Sequence, residues 1–251
     1  MRILIITSFI VLFSVLFISP ASVRGESVQT ITAEGELDPT LRFHYAHHGE
    51  TAYTIPEKTI QIGLGPVVYG VTDFLQVGTN VISPAYGAVV ANTKLNLVDL
   101  ENVGIGLGFE YSHLFNSFGF PENLGFRTKR KGVNVYLPSA TVSTRLSNAV
   151  YLHTGAKYIY SPDAEKDEYI QKRSILKNSK VFSDFEVRFS DRKALLFGPA
   201  YAYQLKALGG GLSYRISGKD IGYSIQLGAS ALIDQNKKWI FDPVIQLVWR
   251  I

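Results

Sequence analysis

From about residue 58 to the C-terminal Ile251 the chain keeps a two-residue period, with almost no helical period competing with it. Val103, Ile105, Leu107, Phe109 and Tyr111 alternate with Gly104, Gly106, Gly108 and Glu110. Val181, Phe185, Val187 and Phe189 alternate with Asp184, Glu186 and Arg188. Trp239, Phe241, Pro243, Ile245, Leu247, Trp249 and Ile251 alternate with Asp242, Gln246 and Arg250. Successive strand side chains point to opposite faces, so each segment presents one apolar and one mixed face.

Alternation alone does not say which face is wet, because soluble sandwiches and barrels alternate too. Three features favour an inside-out reading. The segments run to roughly 10–13 residues, which suits a tilted membrane crossing better than a globular strand of about 5–6. The non-apolar face mixes glycine with mid-strand polar and charged residues, as a polar lumen would. The lumen-lining candidates are Lys94, Glu110, His153, Lys157, Asp184, Glu186, Arg188, Arg215, Asp242 and Arg250. Aromatics gather near segment ends, with Tyr111, Trp239 and Trp249 as membrane-girdle candidates. Trp239 and Trp249 lie on one face, and ten residues of tilted strand rise about 25 Å, the height of an apolar band between two girdles.

Turn residues then order the strands. Short Gly-, Asn-, Asp- and Ser-rich connections near 70–73, 100–102, 146–148, 190–192 and 217–220 alternate strictly with others near 82–87, 114–131, 161–179, 204–208 and 234–238. Short turns at one end and longer loops at the other are the pattern of periplasmic turns against extracellular loops. Counting back from Ile251 gives eleven strands near 239–251, 221–233, 208–217, 194–204, 180–189, 149–160, 132–145, 103–113, 88–98, 74–81 and 58–68. Parity asks for one more, and Leu41, Phe43 and Tyr45, alternating with Arg42, His44 and Ala46, place it near 38–47. The expectation is an all-β, transmembrane, antiparallel up-and-down β-barrel of about twelve strands, with ten or fourteen as alternatives.

The N-terminus reads as a secretory signal over residues 1–25: Arg2, an apolar run from Ile3 to Ile18, then small residues, with cleavage after Ala21 or after Gly25. The barrel would occupy 26–251, with 26–37 a flexible periplasmic segment. Without Arg2 and Arg24 the chain holds 23 basic and 21 acidic residues, too balanced for nucleic-acid binding. It has no cysteine, and a barrel held by its backbone ladder needs none.

The chain resembles bacterial outer-membrane β-barrel proteins in general, a resemblance of pattern that covers the whole mature chain. Its most particular pieces are Y-G-V-T-D-F-L-Q-V (69–77) and the terminal I-Q-L-V-W-R-I (245–251). The second is similar to the C-terminal signal read by the barrel-insertion machinery, but ends in Ile251 where Phe or Trp is usual. The resemblance implies a Gram-negative outer-membrane location with both termini periplasmic, and outer-membrane lipid and the insertion machinery as partners.

Candidate chemistry is sparse. His47 and His48 beside Glu50, placed in or near an outer loop, are weak evidence for a metal without further ligands. Ser112 and His113 are adjacent and so face opposite ways, a poor catalytic pair. His153 shares the lumen face with Lys157, where a hydrogen bond is the expected role. Gly209-Gly210-Gly211 precedes no helix and is no phosphate loop. Arg127, Lys129, Arg130 and Lys131 form a basic patch on an outer loop that could hold lipopolysaccharide phosphates or simply be solvated. No cofactor, metal site or enzymatic activity is expected. The leading reading is a small pore for passive passage of small polar solutes. The alternatives are a closed-lumen structural or surface-interaction protein, and an outer-membrane lipid-modifying enzyme. The mixed lumen charge fits either an unselective pore or a lumen closed by ion pairs.

Overall fold

The structure is a computed structural model and describes residues 45–115, 133–162, 179–203, 205–218 and 222–251. Among them, twelve antiparallel strands close into one barrel. They are β1 (Ile60–Gly63), β2 (Pro66–Thr72), β3 (Leu75–Asn80), β4 (Ala88–Asp99), β5 (Val103–Leu114) and β6 (Val133–Arg145), followed by β7 (Val150–Lys157), β8 (Lys180–Ser190), β9 (Lys193–Ala202), β10 (Ala207–Ser217), β11 (Tyr223–Ile233) and β12 (Trp239–Arg250). Each pairs with its sequence neighbours, and β1 closes on β12 with Gln61 opposite Arg250 and Gly63 opposite Val248. The signal segment, the expected 26–37 segment and the basic patch at 127–131 lie outside the described residues.

The barrel is inside-out. Directly paired residues share a face, so the register sorts the two sides. Leu107 and Phe109 on β5, Leu212 on β10, Leu227 on β11 and Phe241 and Ile245 on β12 all point outward and are exposed. Lys94, His153, Asp184, Glu186, Arg188 and Arg215 point inward and are buried. A soluble barrel would reverse this assignment, whereas a strand crossing lipid needs an apolar outer face.

Short connections gather at one end: 73–74, 100–102, 146–149, 191–192 and 218–222. Three register shifts sit at the same end, between Gly70 and Thr72, between Asn96 and Val98, and between Arg188 and Ser190. Bulges at a barrel rim bend and twist the strand into its turn. At the opposite end apolar residues point inward, Val135 and Leu137 packing with Leu114 and Ile159, and Ala202, Ala207 and Leu232 with Leu205 and Ile240.

The strand count is reached by a different route from the one the alternation suggested. The stretch 58–68 is not one strand. It reverses at Leu64–Gly65 into β1 and β2, with Ile60 opposite Tyr69 and Ile62 opposite Val67. Gly65 has φ +106°, open to glycine and to few other residues, and its N–H donates to the Gly63 carbonyl at 2.8 Å. Pro66 follows, and a Gly-Pro pair is a turn signal that the surrounding alternation conceals. The expected strand near 38–47 is therefore not needed for parity, and its described part, 45–47, lies inside the barrel rather than in its wall.

Candidate functional site

Residues 45–57 run through the lumen, where wall side chains and backbone hold them. The segment begins as a tight reversal, with a bridge from Tyr45 to Glu50 and the Ala46 N–H donating to the Gly49 carbonyl at 3.0 Å. His47 and His48 form its tip. They sit buried in the bore, not in an outer loop, which corrects the sequence reading: two histidines between polar residues carry no periodic signal, and their partners are more than a hundred residues away.

The wall answers the segment group by group. His47 Nδ1 is hydrogen-bonded to Ser213 Oγ at 2.8 Å and its Nε2 to Ser230 Oγ at 2.9 Å. Asp184 accepts from the His48 backbone N–H at 2.7 Å and pairs with its Nδ1 at 2.6 Å. The Lys180 ammonium donates to the His48 carbonyl, and the Arg215 guanidinium to the Tyr45 carbonyl. Lys94 Nζ donates to the Tyr53 carbonyl at 2.7 Å and lies 3.4 Å from the Glu50 carboxylate. The Ala52 N–H donates to Ser143 Oγ at 2.8 Å, and the Ile55 N–H to Gln76 Oε1 at 3.0 Å. The Glu57 N–H finds Asp73 at 3.1 Å, at the short-turn end where the segment joins β1. Irregular backbone is tolerated at membrane depth when its polar groups are satisfied inside the protein, and these bonds do that.

The glycine face of β5 is the bed of this segment. A Cβ on Gly106 would stand 2.6 Å from the Ala52 carbonyl oxygen and 3.0 Å from its Cα. A Cβ on Gly104 would stand 2.7 Å from the Tyr53 ring. Only glycine lets the two backbones approach this closely. The alternation Val103 to Glu110 marks the inward face, and the segment lying on it is the reason that face is glycine.

Beneath the tip lies a buried ion cluster. Glu186 accepts from Arg188 Nε at 2.7 Å and from Arg215 Nη1 at 3.2 Å. Arg188 stacks over the Tyr151 ring, 4.2 Å from its centroid, and Arg215 Nη2 also donates to Gln226 Oε1 at 3.1 Å. Gln226 in turn donates to Ser213 Oγ at 2.9 Å and to the Ala46 carbonyl at 3.3 Å, tying cluster and segment into one network. Burial strips these charges of water, so each must keep its partner. Burial also pulls the His47 pKa down to about 4, with repulsion from His48 adding to the effect.

Ser143, His153 and Glu186 line up as hydroxyl, imidazole and carboxylate. Ser143 Oγ is 2.8 Å from His153 Nδ1, and His153 Nε2 is 3.5 Å from Glu186. All three are at most 2% exposed. Ser143 already accepts from Ala52, and Glu186 is held by two guanidiniums, so with the segment docked the arrangement braces it. Sequence reasoning placed His153 on the lumen face but missed Ser143, whose cross-strand pairing with His153 follows only from register.

The remaining candidates lie apart. Glu110 and Lys157 form a half-exposed inward pair at 3.1 Å. Asp242 lies inward on β12, and Arg250 Nε donates to Gln61 Oε1 at 3.3 Å at the β1 closure. Trp239 and Trp249 stand at opposite ends of β12, and Tyr111 hydrogen-bonds Asn134 at 2.8 Å on the outer face. Ser112 is buried inward while His113 points outward to Asn134, so they do not meet. Among the described residues no three His, Cys, Asp or Glu gather as metal ligands.

No protein-family model matches the chain, and no curated protein matches it. Among solved structures it is similar to a KdgM porin and to the KdgM porin in complex with disordered oligogalacturonate. Each comparison has a TM-score of 0.48 and 6% identity, and covers 76% of this chain and 95% of the other.

Proposed function

We propose that the chain is an outer-membrane β-barrel channel for small polar solutes, with residues 45–57 as its gate and the docked segment as its closed state. The observation that carries this reading is how the segment is held. Its backbone is bound mainly by side chains of β3, β4, β6, β8, β10 and β11, through polar bonds that water can replace when the segment leaves. The segment buries Ala46, Ala52, Tyr53 and Ile55, with Ala46 against Phe182 and Ala200, but outside that contact and the glycine face of β5 the wall beneath it is polar and charged, and would become the lining of a wet passage. The mechanism involves no covalent chemistry. The apolar outer face supports the membrane location.

The Glu186, Arg188 and Arg215 cluster favours a second reading, a permanently closed barrel with a structural or surface role. Planar-bilayer recording of the refolded mature chain separates the two. Discrete, interrupted conductance steps support the gated channel. Silent insertion of a barrel with a heat-modifiable gel shift supports the closed one.

A further inference from the structure

The wall is not of even height. β1, β2 and β3 have four, seven and six residues, while the other strands have eight to thirteen. β1 therefore covers only the lower end of β12. Ile60 and Ile251 exchange backbone bonds at 2.9 Å, and the Leu64 N–H donates to the Leu247 carbonyl at 3.2 Å. Above Leu247 no described strand lies on that side. The odd residues of β12 direct their backbone groups there, because the even ones pair with β11, as Arg250 does with Gly222. Trp239, Phe241, Pro243 and Ile245 thus turn an edge that no described strand pairs to a notch bounded on its far side by the loop 81–87 and the top of β4. At ~3.3 Å per residue and a tilt near 40°, this lip rises about 20 Å, most of an apolar band.

We propose that the notch is a lateral port through which an acyl-chain amphiphile of the leaflet on the long-loop side reaches the lumen; this rests on the membrane-spanning reading above. An unpaired edge in hydrocarbon is costly and invites another strand. Pro243 stands in the middle of this edge with no N–H to offer, a device that discourages strand addition and keeps the edge free. The lip is apolar outside and mixed inside. Outside, Trp239 is 60% exposed, Phe241 70% and Ile245 51%, and across the gap Val81 is 58% exposed. Inside, Ile240 and Val244 flank Asp242 on the inward row. An acyl chain fits between such faces, and Asp242 offers its head group a polar contact at lumen depth. A water-borne solute has no use for an opening at this depth, because lipid lies against it.

The chain has no cysteine, so single labels report unambiguously. The full mature chain is placed in phosphatidylcholine vesicles whose acyl chains carry nitroxides. A fluorophore sits on Val244→Cys (inner side of the lip), Ile245→Cys (outer side) or Ser139→Cys (inward on β6, away from the notch). The port predicts strong quenching at Ile245→Cys, and quenching at Val244→Cys several-fold above that at Ser139→Cys. If Val244→Cys is as protected as Ser139→Cys while Ile245→Cys is quenched, the port is overturned and the membrane reading stands. If Ile245→Cys is not quenched, the membrane reading fails and the port with it. Protection of Val244→Cys that appears only in cross-linkable dimers overturns the port in favour of a second copy in the notch.

Discussion

Replacing Gly106 by valine sets the wall against the gate at a point where neither can yield by turning a side chain. The new Cβ would lie 2.6 Å from the Ala52 oxygen and 3.0 Å from the Ala52 Cα, both backbone atoms. Carbon atoms prefer about 3.5–4.0 Å, so the overlap with Cα is ~0.5–1 Å. Ala52 cannot slide away without giving up its 2.8 Å bond to Ser143. Overpacking of this size costs about 1–3 kcal/mol, and it falls on the docked state alone, because with the segment gone the valine faces an open lumen. Valine suits a strand better than glycine, so the wall itself does not suffer. At roughly tenfold per 1.4 kcal/mol, the ratio of docked to released segment falls by about 5–150-fold. Single-channel open probability in planar bilayers reads this directly, with Gly106→Ala, which adds only the clashing carbon, expected in between. A folded, heat-modifiable Gly106→Val barrel with unchanged open probability would show that the segment does not gate the lumen.

Glu186→Gln leaves the buried Arg188 and Arg215 guanidiniums without their carboxylate, and breaking a buried pair in this way costs about 3–5 kcal/mol. The temperature of the heat-modification shift should fall clearly, while the conservative Glu186→Asp falls less; equal shifts would mean that charge pairing is not the cause. Acidification should release the gate. Docked His47 holds its pKa near 4 against an ordinary value of about 6.5, so the released segment takes up the proton first. Docking is therefore unpenalised above about pH 6.5 and weakens as pH falls toward about 4, against the neighbouring charges of His48, Asp184 and Lys180. Open probability that rises over this window in the parent and stays flatter in His47→Gln supports it; a parallel rise in both contradicts it.

The strands from β4 to β12 were legible because each repeats one signal, alternation bounded by turn residues, and because the outer face is uniformly apolar. Leu107, Phe109, Leu227 and Ile245 declare themselves residue by residue. The reversal at Leu64–Gly65 was hidden because the alternation resumes almost unbroken in Val67 to Val71, and a glycine with positive φ leaves no periodic trace. The gate was hidden for a deeper reason. Tyr45 to Glu57 forms neither helix nor strand, and its bonds run mostly to residues in other strands, such as Ser213, Asp184 and Ser143, whose convergence depends on register. The inward charges could be named singly, but not the network they make. The glycines of β5 were visible as an inward face, and only the segment lying on them explains why that face has no side chains.

If motion of residues 45–57 opens the lumen, a reversible lock on that segment keeps it shut. A Cβ on Gly104 would lie 3.2 Å from the Ala52 Cβ, close to the roughly 3.5–4.5 Å that a disulfide spans, and the chain has no other cysteine to interfere. The double variant Gly104→Cys, Ala52→Cys is recorded in planar bilayers, first oxidised and then after reductant is added to the same membrane, against Gly104→Cys alone, whose Cβ already meets the Tyr53 ring at 2.7 Å. Silence is expected while the bond is closed, and stepwise conductance once it is reduced. Equal conductance before and after reduction, with the bond verified by gel shift, would contradict gating by the segment, and lasting silence in both states would assign the barrel a closed lumen.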